Sequence, residues 1–514
     1  MNSRRFRSAL AESSGSLGGL VGPTAGLGSP TNAAQAFCED ACTDVPRLSL
    51  SDAAPHGGSH LDKDLRGYLA TNDDLVTHIT KPVSLSDIGA LSAQSDLPIL
   101  FENIVERPGF RICDMLVKNR TTQARAIGVP QNEYIKTLAY RLRQPPRGLV
   151  EVKTGPVKEV KWLGNDADLY KLPIPLHKER DEYPYLSAMI IIRDPETGFC
   201  NTSHAGTTIV GPRKGISSFV TSHSLRIMRK YRELGGKTMP IAFVVGIPPA
   251  YEIMGNFSGL HMDSWGEMDM VGTIMSRDIE MVPCETIDMT VPAHAEIIIE
   301  GHIQLEAISR SSDVTSPSMY YLPHFEHLPE FHLTAITMRN DRPIYRNHQT
   351  CPATDHQTLP RLCHEAVLFN RLKEMDLEAC DVRFPTWGGA LSCILQFSYS
   401  RQGFVNDALM MAMGAPWLNT KLVVAVSPDT DIDDPGDVYH AIATRADPAR
   451  DVIIVGNTRG SLYDPAAAPL DGSYPFRISG KMGIDATIKA RHNEADFERA
   501  WPKNWGRVFL KDYL

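Results

Sequence analysis

Four polar side chains in the middle of the chain could do chemistry together: Asn201, His204, His223 and Glu267. An amide, an imidazole and a carboxylate make a mixed oxygen and nitrogen donor set. Such a set suits a hard or borderline divalent ion, Mn²⁺ or Mg²⁺, better than zinc held by thiolates. Three protein ligands leave coordination positions open for a phosphate and water. The intervals, 22 residues from Asn201 to His223 and 44 from His223 to Glu267, match no compact motif. Taken singly, each residue is more readily explained as a surface or capping group than as a metal ligand.

Other candidates are weaker. PHFEHLPEFH carries His324, His327 and His332, but Pro323 and Pro329 prevent one continuous helix, so the histidines cannot share a face as in H-E-x-x-H and a solvated loop is expected. GNFSGL around Ser258 is not the G-x-S-x-G elbow, and neither a P-loop nor G-x-G-x-x-G after a strand is present. Serine hydrolase and nucleotide-binding chemistries therefore lack their motifs.

The elements that must position these residues are legible in outline. AMIIIRD (188–194) has consecutive apolar residues suited to a strand buried on both faces. PILFENI (98–104), PIAFVVGIPP (240–249), AEIIIEGHI (295–303) and HLTAITM (332–338) are further strand candidates, each bounded by Pro, Gly or Asp. In SHSLRIMRKYRELGG (222–236), Leu225, Met228, Tyr231 and Leu234 recur at helical spacing, with serine ahead and Gly235 behind. DLRGYLATNDDLVTHI predicts an amphipathic helix through Leu65, Leu69 and Leu75. From about residue 362, helix and strand patterns alternate through HEAVLFNRLKEM, NDALMMAMG, KLVVAVS, VYHAIATRA and DVIIVG, which implies an α/β layer with parallel strands.

At 514 residues, two or three cores are expected. Residues 1–60 are rich in Gly, Ser and Ala without a periodic apolar face, and are expected to form a disordered tail. No apolar run reaches the ~20 residues of a membrane span. A net charge of -9, without basic tracts, argues against nucleic acid as a partner. Nine scattered cysteines without C-x-x-C pairs suit a reducing compartment. A cytoplasmic location is expected, with mitochondrial import the alternative because Arg4, Arg5 and Arg7 face a single acid, Glu12, in the opening stretch.

A chain of ordered blocks from about residue 62 to about 490 resembles the UbiD family, the reversible (de)carboxylases that use prenylated flavin mononucleotide. The blocks include DLRGYL, LPILFENI with RPGF, ARAIGVP, NDADLYKLPIPLHKERDEYPYLSAMIIIRDPETGFCN (165–201), GGKTMPIAFVVGIPP, VPCETIDMTVPAHAEIIIEG, KLVVAVSPDTDIDDPGDVYHAIATRADPARDVIIVG and SGKMGIDAT. The resemblance implies a mixed α/β and α+β multidomain chain. Its expected parts are an N-terminal α/β domain (61–160), a flavin-reductase-like split β-barrel holding prenylated FMN (161–345) and a C-terminal α/β domain (346–514) that forms a homodimer. It implies that Asn201, His223 and Glu267 bind Mn²⁺ (or Mg²⁺), which with K⁺ clamps the cofactor phosphate. Thr202, Ser203, Val220, Ser222 and the loop Gly255, Asn256, Phe257, Ser258 would line the flavin, and Leu359 and Tyr463 the substrate pocket. It further implies a small-molecule carboxylic acid substrate, aromatic or α,β-unsaturated, and a flavin prenyltransferase as supplier of the cofactor.

The departures from the family pattern lie where acid–base chemistry is expected. Gly206 stands where the family carries an arginine, and Ser311 and Ser316 stand at its two glutamate positions. Serine has no useful acidity near neutral pH, and glycine offers no charge to hold a carboxylate. His204 and Asp313, the latter aided by Arg310, are the candidate replacements, because imidazole titrates near neutrality and a loop aspartate can carry a proton. Packing for His204 and solvation for Asp313 are the bland alternatives. Two other readings stay open: another carbon–carbon bond reaction with the same flavin, and a catalytically silent flavin-binding homologue.

Overall fold

The computed structural model describes residues 62–219, 222–257, 266–309, 315–322, 327–398, 403–415, 419–469, 477–505 and 507–513. The expected N-terminal tail lies outside the described residues. At the centre six strands close on themselves: β1 (Tyr185–Arg193), β2 (Cys200–Gly211), β3 (Lys214–Ser218), β4 (Thr238–Val245), β5 (Ile297–Ser309) and β6 (Leu328–Met338). Every pairing is antiparallel, in the order β5-β4-β1-β2-β3-β6, and β6 returns to β5 to complete a barrel.

The uniform hydrophobicity of β1 follows from this position. Leu186, Ala188, Ile190 and Ile192 point into the barrel core, while Met189 and Ile191 join a second core outside the wall. With both faces buried the strand is apolar almost throughout, the small buried Ser187 being the exception. The segment after Pro323 differs from the expected loop. Residues 328–338 are β6, with Pro329 opposite Ile308 at a register shift, where a proline's missing donor is tolerated, and His332 exposed beside Glu330.

Between β3 and β4 the chain forms α1 (Ser222–Glu233), which ends as expected: Gly235 adopts a φ of 77° and the Gly236 amide donates to the Tyr231 carbonyl. Two helices, α2 (Pro249–Gly255) and α3 (Glu267–Met275), pack outside the wall after β4. The first helix of the described chain is shorter than predicted, Leu65–Thr71, and Leu75 closes a separate 3₁₀ turn. A four-stranded N-terminal sheet contains Thr77–Ile79, Ile99–Phe101, Arg111–Asp114 and, arriving from beyond the barrel, Ile344–Arg346.

The C-terminal layer contains α4 (Leu362–Glu374), β7 (Ala379–Arg383), β8 (Ser392–Phe397), α5 (Phe404–Gly414), β9 (Leu422–Val426), α6 (Pro435–Arg445), β10 (Val452–Gly460) and β11 (Arg477–Ala486). Only β8, β9 and β11 run parallel. The DVIIVG strand, β10, pairs antiparallel with β11 and does not touch β9, because β11 takes the place beside β9. The sheet is thus mixed, not wholly parallel. Among the described residues the seven cysteines form no disulfide, and no helix is long and apolar enough to cross a membrane.

Candidate active site

Three of the four residues singled out first meet at the start of β2. Asn201, 1% exposed, pairs with Ile192 of the neighbouring β1, and its Oδ1 lies 3.2 Å from Nδ1 of His223, the second residue of α1. Glu267, also 1% exposed, opens α3 and accepts a hydrogen bond from the Thr202 amide at 3.0 Å. Gly266 explains how α3 comes so close. A Cβ there would lie 2.4 Å from the Cys200 carbonyl oxygen, so only glycine lets the helix start abut the strand.

The electrostatics of this corner are incomplete. Burial pushes the Glu267 carboxyl up to about 7, and Asn201 Nδ2 is buried without a hydrogen-bond partner among the described residues. Two ligand atoms at right angles on one ion with bonds of ~2.1 Å are ~3 Å apart, which is close to the Asn201–His223 separation. An under-compensated carboxylate, an orphaned amide and a converging imidazole fit a divalent cation.

The flavin-lining candidates divide. Thr202 is buried and its Oγ1 has no partner among the described residues, while Ser203 Oγ lies 3.5 Å from Ser224 Oγ at the head of α1. Ser222 begins α1. Gly255 ends α2 against Met189, where an added Cβ would sit 3.0 Å from the sulfur. Phe257 packs into the core outside the barrel wall. Val220 and Ser258 lie outside the described residues, as do Asp313, Arg310, Ser311 and His324.

His204 projects from β2 on the opposite side from Asn201, and both its ring nitrogens are engaged. Asn256 Nδ2 donates to Nδ1 at 2.8 Å, and Nε2 lies 3.2 Å from Nε2 of His348. Since Asn256 Nδ2 also donates to the Glu252 carbonyl at 3.2 Å, the amide orientation is set and His204 carries its hydrogen on Nε2. Burial, with His348 beside it, holds His204 well below its usual range and therefore neutral.

Gly206 is not an empty position. A Cβ there would come within 1.7 Å of the Tyr185 hydroxyl, so this phenol fills the space into which any side chain at 206 would grow. Tyr185 is fixed by an edge contact to His177 (ring centroids 5.3 Å apart) and by Lys178 Nζ, 4.8 Å from its ring centroid. Burial keeps its hydroxyl protonated. Ser316 is buried, with Oγ 2.6 Å from Ser318 Oγ, and Ser318 Oγ donates to the Tyr463 carbonyl. That bond brings Tyr463 to the altered loop, whereas Leu359 sits in the turn Leu359–Arg361 and packs into the core.

Residues 149–353 match the 3-octaprenyl-4-hydroxybenzoate carboxy-lyase Rift-related domain, and residues 357–486 match the C-terminal domain of the same carboxy-lyase. Anhydromevalonate phosphate decarboxylase from Methanosarcina mazei is 31% identical over 444 residues, covering 85% of this chain and 98% of that protein. The chain belongs to the UbiD family of carboxy-lyases. The UbiD-class enzyme HmfF from Pelotomaculum thermopropionicum, solved in complex with FMN, superposes with a TM-score of 0.77 at 29% identity, covering 88% of this chain and 100% of that one. The 3,4-dihydroxybenzoic acid decarboxylase from Enterobacter cloacae shares the fold, with a TM-score of 0.77 at 22% identity over 88% of this chain and 99% of that one. This UbiD-family enzyme is accordingly a carboxy-lyase, and the silent-homologue reading is set aside.

Sequence reasoning did not single out the residues behind His204. His348, Glu252, Arg346, Asp114 and Asp355 form one buried polar cluster at the meeting point of the N-terminal sheet, α2 and β2. The density of polar residues in YRNHQTCPATDHQTLPR, directly after an apolar strand start, was the signal available.

Proposed function

We propose that this UbiD-family enzyme decarboxylates an α,β-unsaturated, non-aromatic carboxylic acid with prenylated FMN. In this reading Asn201, His223 and Glu267 hold Mn²⁺ (or Mg²⁺), which joins K⁺ in tethering the cofactor phosphate. The observation that carries the reading is the convergence of Asn201 Oδ1 and His223 Nδ1 beside a buried Glu267 whose charge lacks compensation. The positive end of α1 adds to the attraction for an anion there. A flavin prenyltransferase would supply the cofactor.

Prenylated FMN supplies an electron sink for the pair left when the bond to CO₂ breaks. The chain's own residues do the remainder. The Tyr185 hydroxyl, held protonated above Gly206, is a neutral donor where the family pattern has a cation. His204 handles the proton that replaces CO₂. An acyclic substrate is favoured because the relative from Methanosarcina mazei is named for anhydromevalonate phosphate.

The test is co-expression with a flavin prenyltransferase. Absorption spectrum, released-cofactor mass and metal content are then measured, followed by CO₂ release and product mass on a panel of acyclic unsaturated acids, with and without phosphate, and aromatic acids. Bound prenylated FMN with one metal ion per chain and turnover confined to acyclic acids is expected. Preference for an aromatic acid, or unmodified FMN supporting full activity, would refute it.

A further inference from the structure

Arg346, 1% exposed, donates from Nε and Nη2 to the two oxygens of Glu252 at 2.9 and 3.1 Å, from Nη1 to Asp114 at 3.1 Å, and from Nη2 to Asp355 at 2.5 Å. Three carboxylates, each 1% exposed or less, share one guanidinium. Lys178, a further cation near this cluster, pairs with Asp181 at 2.8 Å. Full ionisation of all three acids would leave two negative charges uncompensated in a dry interior, at a cost well beyond that of taking up a proton. The charge count therefore favours a proton held within the cluster, even though Asp114 and Asp355 also accept from Asn347 Nδ2 and from the Met115 and Val117 amides. Burial, with Asp355 alongside, pushes Asp114 up to about 7, a value at which a proton is exchangeable near neutrality.

The other end of this cluster reaches the candidate site. His348 Nε2 lies 3.3 Å from Glu252 Oε1 and 3.2 Å from His204 Nε2, so a carboxylate oxygen and two imidazole nitrogens crowd around one shared hydrogen. His348 Nδ1 is buried without a partner among the described residues, so no backbone carbonyl locks this ring into one tautomer. His204, Glu252, Arg346 and His348 all line the same gap against β1 and β4. His177 and His356 also face this region and burial holds both neutral, as burial with Arg346 alongside holds His348 at rest, so His348 carries a second proton only in passing.

We propose that the Arg346 cluster stores the proton that each decarboxylation consumes, and that His348 passes it to His204. The inference rests on the function proposed above. In each turnover the bond to CO₂ breaks, its electron pair stays on the substrate carbon, and a C–H bond must form there. With the Asn256 amide turned so that its carbonyl oxygen accepts from Nδ1, His204 carries its hydrogen there and leaves Nε2 as the acceptor. A proton from Glu252 forms an N–H bond on His348 Nε2, that bond breaks as one forms on His204 Nε2, and the doubly protonated His204 then releases a proton to that carbon. Solvent returns one proton to the carboxylate cluster, so the sum is one acid anion plus one proton giving CO₂ and the protonated product. At rest Asn256 holds His204 neutral. Turning its carbonyl oxygen toward Nδ1 admits the doubly protonated ring.

Two measurements test this. Infrared spectra of the metal-free, cofactor-free full chain carrying Glu267→Gln, which removes that carboxyl's own band, should contain at neutral pH the carbonyl stretch of a protonated carboxylic acid, lost when Asp114→Asn or Glu252→Gln is added. Absence of that band before the second substitution overturns the store. With prenylated-FMN-loaded enzyme, His348→Gln and Glu252→Gln should each lower kcat at least about tenfold while KM stays within about twofold and cofactor content is unchanged. Wild-type turnover that both variants match overturns the relay and leaves the proposed function standing. If the wild type turns over no acid at all, the function fails, the relay fails with it, and the infrared band still decides whether the store exists.

Discussion

Replacing Glu267 with glutamine should make the metal-free protein more stable near pH 8, an advantage that bound Mn²⁺ largely cancels. In the folded chain the Glu267 carboxyl titrates at about 7 against an ordinary 4.5, because burial penalises its charge. A raised carboxyl contributes stability that is complete below pH 4.5 and is lost as pH rises through about 7. The difference, at 1.36 kcal/mol per pH step, amounts to about 3 kcal/mol. Glutamine mimics the protonated acid and can still accept from the Thr202 amide, so it escapes that loss. Urea unfolding in EDTA should give nearly equal stabilities for wild type and Glu267→Gln below about pH 4 and a difference of up to about 3 kcal/mol in favour of the variant at pH 8. Saturating Mn²⁺ at a hundred times its Kd should then raise the wild type by about 2.7 kcal/mol and the variant little, narrowing or reversing the order. Midpoints that move in parallel with pH, or a Mn²⁺ effect of equal size in both proteins, would refute the assignment of Glu267 as the under-compensated ligand.

Gly206→Ala places a methyl where the Tyr185 hydroxyl lies, and should cost about 1–3 kcal/mol in urea unfolding, with Tyr185→Ala relieving part of that cost in the double variant. A simple sum of the two single effects would show that the ring and the glycine do not compete for space. Arg346→Met strips three buried carboxylates of their cation and should destabilise by about 3–5 kcal/mol at pH 8, with recovery as pH falls and the acids take up protons. A loss independent of pH would contradict the charge argument.

How much of this was legible in the sequence depends on whether a residue's environment leaves a local trace. β1 could be read because its run of Ile and Met must bury both faces, and α1 because Gly235 marks its end with a left-handed turn. Barrel closure left no such trace. It depends on β5 meeting β6 along Ile297–Ser309 and also meeting β4, and each pairing alone would suit an open sheet. The parallel reading of the last strands failed for a related reason: β10 has the composition of a buried strand, but β11, arriving later, takes the position beside β9. Asn201, His223 and Glu267 were nameable from donor chemistry and family likeness. The close approach that brings them together is written in one inconspicuous glycine, Gly266.

The polar segment 346–365 was invisible for the opposite reason, since its partners come from every other part of the fold. Gln349 Nε2 donates to the His177 carbonyl, Thr358 Oγ1 to the Val117 carbonyl, Arg361 Nη2 to the Ala390 carbonyl, and Glu365 accepts from Arg120 and Arg383. A sequence so rich in Asn, His, Gln, Thr and Arg reads as a solvated linker, yet almost every one of these side chains is buried. Buried polar groups are costly without bonds, and since most of those here find one in another part of the fold, this segment fits best with the N-terminal sheet, the barrel and the C-terminal layer already at their correct distances. Apolar residues there would pack in several registers. The polar strut selects one, and that selection places His348 beside His204 at hydrogen-bonding distance.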